Sequence, residues 1–252
     1  MKPEEFEYLY QLEEKFWWFV AMREITDAVA SPAYRAGGSA ASLKILDAGC
    51  GTGYNLGHFA TLGPHSVFGF DISAGAIDGV RKRGLKKVTQ ASITEIPYAS
   101  ETFDVVYSFE VISQGLMPSV EKCLSELHRV VKPGGYLFLR APAYQWMTSS
   151  HDTGVDTVRR FTRSGLNRQL EAVGMRVEWS SYANCFLFPA VVARRMLKGA
   201  GVGAGSDVRP LPSGLGWIDP LFRGILSSEA ALFRQRIPLP FGLSIVCLSR
   251  RP

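Results

Sequence analysis

The 252-residue chain is expected to fold as an α/β protein with a parallel sheet covered by helices on both faces. Three observations carry this expectation. From residue 43 onward, short apolar runs alternate with amphipathic segments. The runs are apolar at successive positions, as strands buried on both faces are. One of them ends in an acid and passes through Gly-x-Gly-x-Gly into a helical segment, which sets bare backbone against a helix N-terminus.

The elements follow in order. Residues 1–34 read as helical, because Phe6, Leu9, Tyr10, Glu13, Phe16, Trp17 and Val20 recur at three- and four-residue steps, and Pro32 is expected to end the segment. FWWF at 16–19 is aromatic on all sides of that helix, more than one packing face needs. It is expected either to pack on the main domain or a second subunit, or to cover a ligand. Strands are expected at Leu43–Asp47, Ser66–Asp71, Lys87–Ala91, Phe103–Phe109 and Gly135–Ala141, with helices near 54–62, 74–83 and 118–131. KPGG at 132–135 reads as a helix stop and turn. A loop over 142–161, a helix from Thr162 and a strand over Arg176–Tyr182 come next. Residues 183–240 leave the alternation, with helices at Phe186–Leu197 and 217–236 joined by the flexible GAGVGAGS at 199–206. A turn and a final strand close the chain.

Composition narrows the function classes. An apolar content of 46% with 20% charged residues is that of a globular protein, not a disordered or fibrous one. The longest apolar stretches, Cys185–Ala193 and Leu239–Leu248, fall short of the roughly 20 residues that cross a bilayer. The acidic start MKPEEFEYLYQLEEK lacks the features of a secretion leader, so a cytoplasmic location is expected. Net charge is +5, but the basic residues fall in small groups at helical spacing, which reads as solvated helix faces more than as a nucleic-acid footprint. Cys50, Cys123, Cys185 and Cys247 are too far apart for a local zinc knuckle and argue against a disulfide scaffold; no metal is expected.

The chemistry concentrates in LKILDAGCGTGYN at 43–55. A nicotinamide fingerprint would need glycine where Tyr54 or Leu56 stands, and a phosphate loop would need Gly-Lys-Ser/Thr, which is missing. Asp47, two positions before Gly49, suits a ligand with an ammonium group. Asp71, 24 residues later at the tip of the second strand, can accept both hydroxyls of a ribose. An acid for an amino-acid end and an acid for a sugar together describe an aminoacyl nucleoside.

On these residues the chain resembles the class I S-adenosylmethionine-dependent methyltransferases. Their acid-x-Gly-x-Gly-x-Gly pattern matches Asp47 to Gly53, the second-strand acid matches Asp71, and ASITEIPYASETFDVV, VVYSFEVISQ and LSELHRVVKPGGYLFL match the later strands, so that residues 43–141 are covered. The resemblance implies a Rossmann-like fold with a mostly parallel seven-stranded sheet, N-terminal helices and a helical insertion before the last strand. It divides the chain into an N-terminal helical cap (1–34), a cofactor-binding α/β core (35–182), a helical substrate cap (183–240) and the final core strand (241–252). It implies S-adenosyl-L-methionine as cofactor, held by Asp47, Ala48, Gly49, Gly51, Gly53, Asp71, Ile72, Ser92, Ile93 and Phe109, with S-adenosyl-L-homocysteine as product. Gly49–Gly53 would pass under the methionine part and Ile72 would pack on adenine. Two positions depart from the pattern: Ser92 stands where an acid usually faces the adenine amino group, and Ser113-Gln114-Gly115 stands where relatives often read Glu-His-Val.

The remainder, with WWF, a W…HD…RRFTR loop, SYANCFLFP and LPFGLS, resembles a bacterial subgroup with poorly defined substrates. His151, oriented by Asp152, is the candidate base. Trp17, Trp18, Tyr144 and Tyr182 are candidate substrate contacts, with Trp146 and Asn184 as further pocket-wall positions. Arg159, Arg160 and Arg163 are expected to cap or pair near a helix more than to clamp an anionic substrate. The expected function is methylation of a small hydrophobic or aromatic molecule by a monomer or homodimer. The alternatives are a non-catalytic cofactor-binding protein, favoured by the departures at Ser92 and Gln114, and a nucleic-acid methyltransferase, disfavoured by the lack of an Asn/Asp-Pro-Pro-Tyr signature.

Overall fold

The computed structural model describes residues 10–36, 42–116, 119–148, 152, 156–198 and 218–252. Seven strands form one sheet: β1 (Lys44–Ala48), β2 (Ser66–Asp71), β3 (Val88–Gln90), β4 (Phe103–Phe109), β5 (Val131–Pro142), β6 (Arg176–Ala183) and β7 (Ser244–Arg250), in the order β3-β2-β1-β4-β5-β7-β6. Only β7 runs antiparallel to its neighbours, so β1, β2, β4, β5 and β6 all end on one edge. This is the mostly parallel Rossmann-like sheet expected from the resemblance.

Neighbouring residues of each strand serve opposite faces. Ile45, Val105, Phe138 and Val246 pack with α1 (Trp17–Ala36), α2 (Tyr54–Thr61) and α7 (Asp219–Arg234) through Met22, Ile25, Phe59, Leu226 and Phe233. Leu46, Val106, Leu137 and Cys247 pack with α4 (Val120–Val130) and α5 (Arg163–Ala172) through Leu124, Leu127, Leu166 and Leu170. Strand side chains alternate between faces, so burial of both faces requires the unbroken apolar runs seen in the sequence. The remaining helices are α3 (Ala74–Lys82), beside the β2 edge, and α6 (Phe188–Lys198), after β6.

Three local expectations are corrected: the helix read over residues 1–34 is interrupted at 13–16, where the chain turns before α1 begins at Trp17, and residues 1–9 lie outside the described ones. Pro32 does not end the first helix: α1 continues to Ala36, and the Ala28 carbonyl, which has no amide donor at position 32, accepts the Ser31 hydroxyl at 3.1 Å. KPGG is not a stop between helix and strand. β5 starts at Val131, directly after α4, and Gly134, at φ +78°, absorbs a register shift while its amide donates to the Arg251 carbonyl at 2.8 Å. The flexible connector expected at 199–206 lies outside the described residues.

The residues that follow β4 and end the turns after β5 and β6 share an unusual backbone. Glu110, Tyr144 and Asn184 have φ of +61°, +58° and +59°. Asparagine tolerates this region, whereas glutamate and tyrosine there cost about 1 kcal/mol each. All three stand on the edge where the parallel strands end.

Candidate functional site

The loop between β1 and α2 is strung across two strand tips. The amides of Gly49 and Cys50 both donate to the Phe70 carbonyl at 2.9 Å, and the Asp71 carboxylate accepts from the amides of Gly51 at 3.0 Å and Ser73 at 2.9 Å. Gly49 and Gly51 have φ of +84° and +53°. A Cβ on Gly49 would lie 2.3 Å from Val111 Cγ2, whereas a Cβ on Gly51 would meet nothing within 4 Å, so the loop presents open space there. Gly53 caps α2, and Ala48 is buried in the tip of β1.

Asp47, under this loop, is fully buried and neither carboxylate oxygen has a hydrogen-bond partner. Burial, reinforced by the charge of Asp71 and opposed by Arg140, pushes its carboxyl up to about 8. A buried carboxylate without a donor costs free energy that a ligand ammonium group would recover. Burial also raises Asp71, although the amides of Ser73 and Gly51 oppose it. An orphaned acid, a second acid with its amides aligned and an open glycine between them fit the amino-acid and ribose ends of S-adenosyl-L-methionine.

The other expected cofactor contacts are distributed as follows. Ile72, next to Asp71, is 40% exposed and free to meet a flat ring. The Ser92 hydroxyl lies 2.8 Å from Thr94 Oγ1 and accepts the Thr94 amide at 3.2 Å, so it is engaged within its own turn. The Ile93 side chain is buried in the core. The Phe109 ring stands among Phe59, Tyr107 and Phe138, in the cluster that faces α1.

Past β4, Glu110 accepts from Arg140 Nε at 2.9 Å, and the Arg140 guanidinium lies 5.3 Å from the Trp18 ring and 5.0 Å from Phe109. Trp18 thus reaches the strand tips. Trp17 turns away to pack on Phe222 of α7 at 5.3 Å. Tyr144 and Tyr182 come together, stacked at 5.1 Å, and Trp146, Phe188 and Phe241 extend them into one aromatic group. Trp146 and Phe241 are exposed.

His151 lies outside the described residues. Asp152, expected to orient it, is buried and paired with Arg160. Arg159 donates to the Gln114 carbonyl at 3.2 Å, and Arg163 lies over Tyr182; this is the structural use of the RRFTR arginines that the sequence favoured.

Sequence reasoning missed a connection between the N-terminal segment and the glycine loop. Arg83, just after α3, donates to the carbonyls of Thr52 (3.1 Å) and Tyr10 (3.2 Å) and to Glu14 (2.9 Å), and Glu13 hydrogen-bonds Thr52. Arg83 sits in RKRGLKK, which reads as a solvated face, yet its side chain is 11% exposed. Partners 70 residues apart leave no local signal. Beside this junction lies a groove of about 460 Å³, lined by residues that include Tyr10, Arg23, Tyr54, His58 and Arg83; it contains neither Asp47 nor Asp71 and is distinct from the cradle.

Residues 46–139 match the methyltransferase domain family. Among curated proteins, a 24-methylenesterol C-methyltransferase of Arabidopsis thaliana is 31% identical over 160 residues, or 61% of this chain and 41% of that protein. A fatty-acid O-methyltransferase of Mycolicibacterium smegmatis is 34% identical over 98 residues, or 37% and 35%. The chain therefore spans less than half the length of either relative. An S-adenosylmethionine-dependent methyltransferase from Mesorhizobium loti superposes with a TM-score of 0.56 at 17% identity, over 90% of this chain and 100% of that one.

Proposed function

We propose, from the match of residues 46–139 to the methyltransferase domain family and the geometry of the cradle, that the chain transfers a methyl group from S-adenosyl-L-methionine to a small apolar or aromatic acceptor. The observation that carries the reading is Asp47, whose two buried oxygens lack any donor in a loop built to admit one. In this reading Asp47 receives the α-ammonium, Asp71 the ribose hydroxyls, and Ile72 packs against adenine. The acceptor lies over the tips of β4 and β5, between Trp18 and the wall of Tyr144, Trp146 and Phe188. The apolar acceptors in the names of the sterol and fatty-acid relatives support that choice.

The cofactor supplies a methyl group on a sulfonium sulfur, displaced in line by the acceptor. The chain's own contribution is to hold the two about 3 Å apart and keep water out. The glycine loop and Asp71 fix one side, and the aromatic group shapes the other with surfaces that exclude water. Where the acceptor carries a proton, His151 is the candidate to remove it.

Titration calorimetry with S-adenosyl-L-methionine tests the reading. Saturable binding is expected, weakened about tenfold or more by Asp47→Asn. Labelled methyl should then pass to an apolar acceptor in a panel of sterols, fatty acids and aromatic hydroxyl compounds. A folded protein that does not bind the cofactor would reject the proposal.

A further inference from the structure

Glu13 is carried to the cofactor cradle by a segment outside the matched domain. Its carboxylate hydrogen-bonds the hydroxyl of Thr52, which is buried between Gly51 and Gly53. Arg83 holds the segment in place through the carbonyls of Tyr10 and Thr52 and through Glu14, and its guanidinium lies 4.1 Å from the Tyr10 ring centre. The Glu13 side chain is itself only 14% exposed, and Arg83 Nη2 reaches its Oε2 at 3.4 Å. Asp47 lies close enough for the charge of Glu13 to raise it further, and both oxygens of Asp47 are unpartnered. Glu13, Asp47 and Asp71 thus bring three acidic side chains to one glycine loop.

Resting on the reading of this cradle as an S-adenosylmethionine site, we propose that Glu13 is a further acidic ligand of the cofactor, accepting from its α-ammonium together with Asp47. The segment from Tyr10 to Phe16 is then a wall of the cofactor site. A Glu13 that merely fastened the segment to Thr52 would influence all cofactor analogues alike. A Glu13 that contacts the ammonium group discriminates between them.

The test measures affinity by titration calorimetry of the full chain for two probes, S-adenosyl-L-homocysteine and its analogue without the α-amino group. Glu13→Gln is expected to weaken the first about tenfold and the second less than about twofold. Thr52→Val, which removes the hydroxyl that holds the carboxylate, is expected to show the same discrimination and serves if Glu13→Gln fails to fold. Equal losses for both probes, or no loss for either, would overturn the proposal. A wild-type chain that binds neither probe would instead reject the methyltransferase reading itself, so the two failures are distinguishable.

Discussion

Arg160 holds Asp152 through two nitrogens, Nη2 to Oδ1 at 2.5 Å and Nε to Oδ2 at 3.1 Å, with the two side chains 7% and 3% exposed. Its Nη1 also donates to the Ala143 carbonyl at 3.0 Å, so one guanidinium joins residue 152 to the turn that carries Tyr144. Arg160→Ala takes the cation from a buried carboxylate, and a loss of about 3–5 kcal/mol in unfolding free energy is expected from urea titration. A loss below about 1 kcal/mol would mean that solvent reaches the pair.

On the proposed role of Asp47, cofactor binding is expected to depend on pH. Burial first, then the charge of Asp71, lifts its carboxyl to about 8 in the empty protein, above the ordinary carboxylate value. As pH rises from about 4 through 8, the unfolded chain gives up this proton before the folded one, so the empty protein loses stability across that window. An ammonium ligand needs the carboxylate form. Affinity should therefore rise between pH 6 and 8 by up to about tenfold per unit, with about one proton released at pH 7. Calorimetry in two buffers of different ionisation enthalpy measures that proton, and Asp47→Asn should abolish both effects.

Two glycines of the loop should fail differently. Gly49→Ala puts a methyl 2.3 Å from Val111 Cγ2 at φ +84°, and is expected to unfold or displace the loop. Gly51→Ala meets no atom within 4 Å, so it should cost only about 1 kcal/mol in thermal melts, the penalty of its φ of +53°. On the proposed reading its methyl stands where the cofactor would pass, and cofactor affinity should fall while the fold persists.

Glu229, buried in α7, accepts the amides of Asn184 at 2.8 Å and Phe186 at 3.0 Å, which fixes the turn after β6. Glutamine offers one acceptor oxygen for two amides, so Glu229→Gln is expected to cost about 1–3 kcal/mol. Burial pushes the Glu229 carboxyl up to about 7 against the opposing pull of those amides. Wild-type stability from this group is complete below the ordinary carboxylate range and is lost as pH rises through about 7. The variant lacks that dependence, so melting temperatures of the two proteins should converge between pH 5 and 8.

What the sequence made legible was what local pattern encodes. Strand pairs such as Ile45 and Leu46 face opposite layers, which requires the continuous apolar runs from which the sheet was read. Gly51 and Asp71 were legible because the loop's backbone geometry demands those residue types at that spacing, and Asp47 because an acid two residues before the first glycine is part of the family pattern. Long-range pairing was not. Asp152 pairs with Arg160 eight residues on, Arg83 looks solvated but ties down the segment from Tyr10, and Glu229 sits on an amphipathic helix facing backbone amides 43 and 45 residues away. Pro32 misled because a serine hydroxyl one residue earlier supplies the missing donor.

The left-handed backbone at Tyr144 is held by the rings packed around its side chain. Tyr144→Gly would relax a torsion worth about 1 kcal/mol, yet strip the central ring from the aromatic group beside β5, so a net loss of stability is expected in thermal melts. On the proposed reading of this group as the acceptor wall, the ring that holds the strained turn in place is also the surface an acceptor would meet, so loss of fold and loss of acceptor binding should go together in this variant.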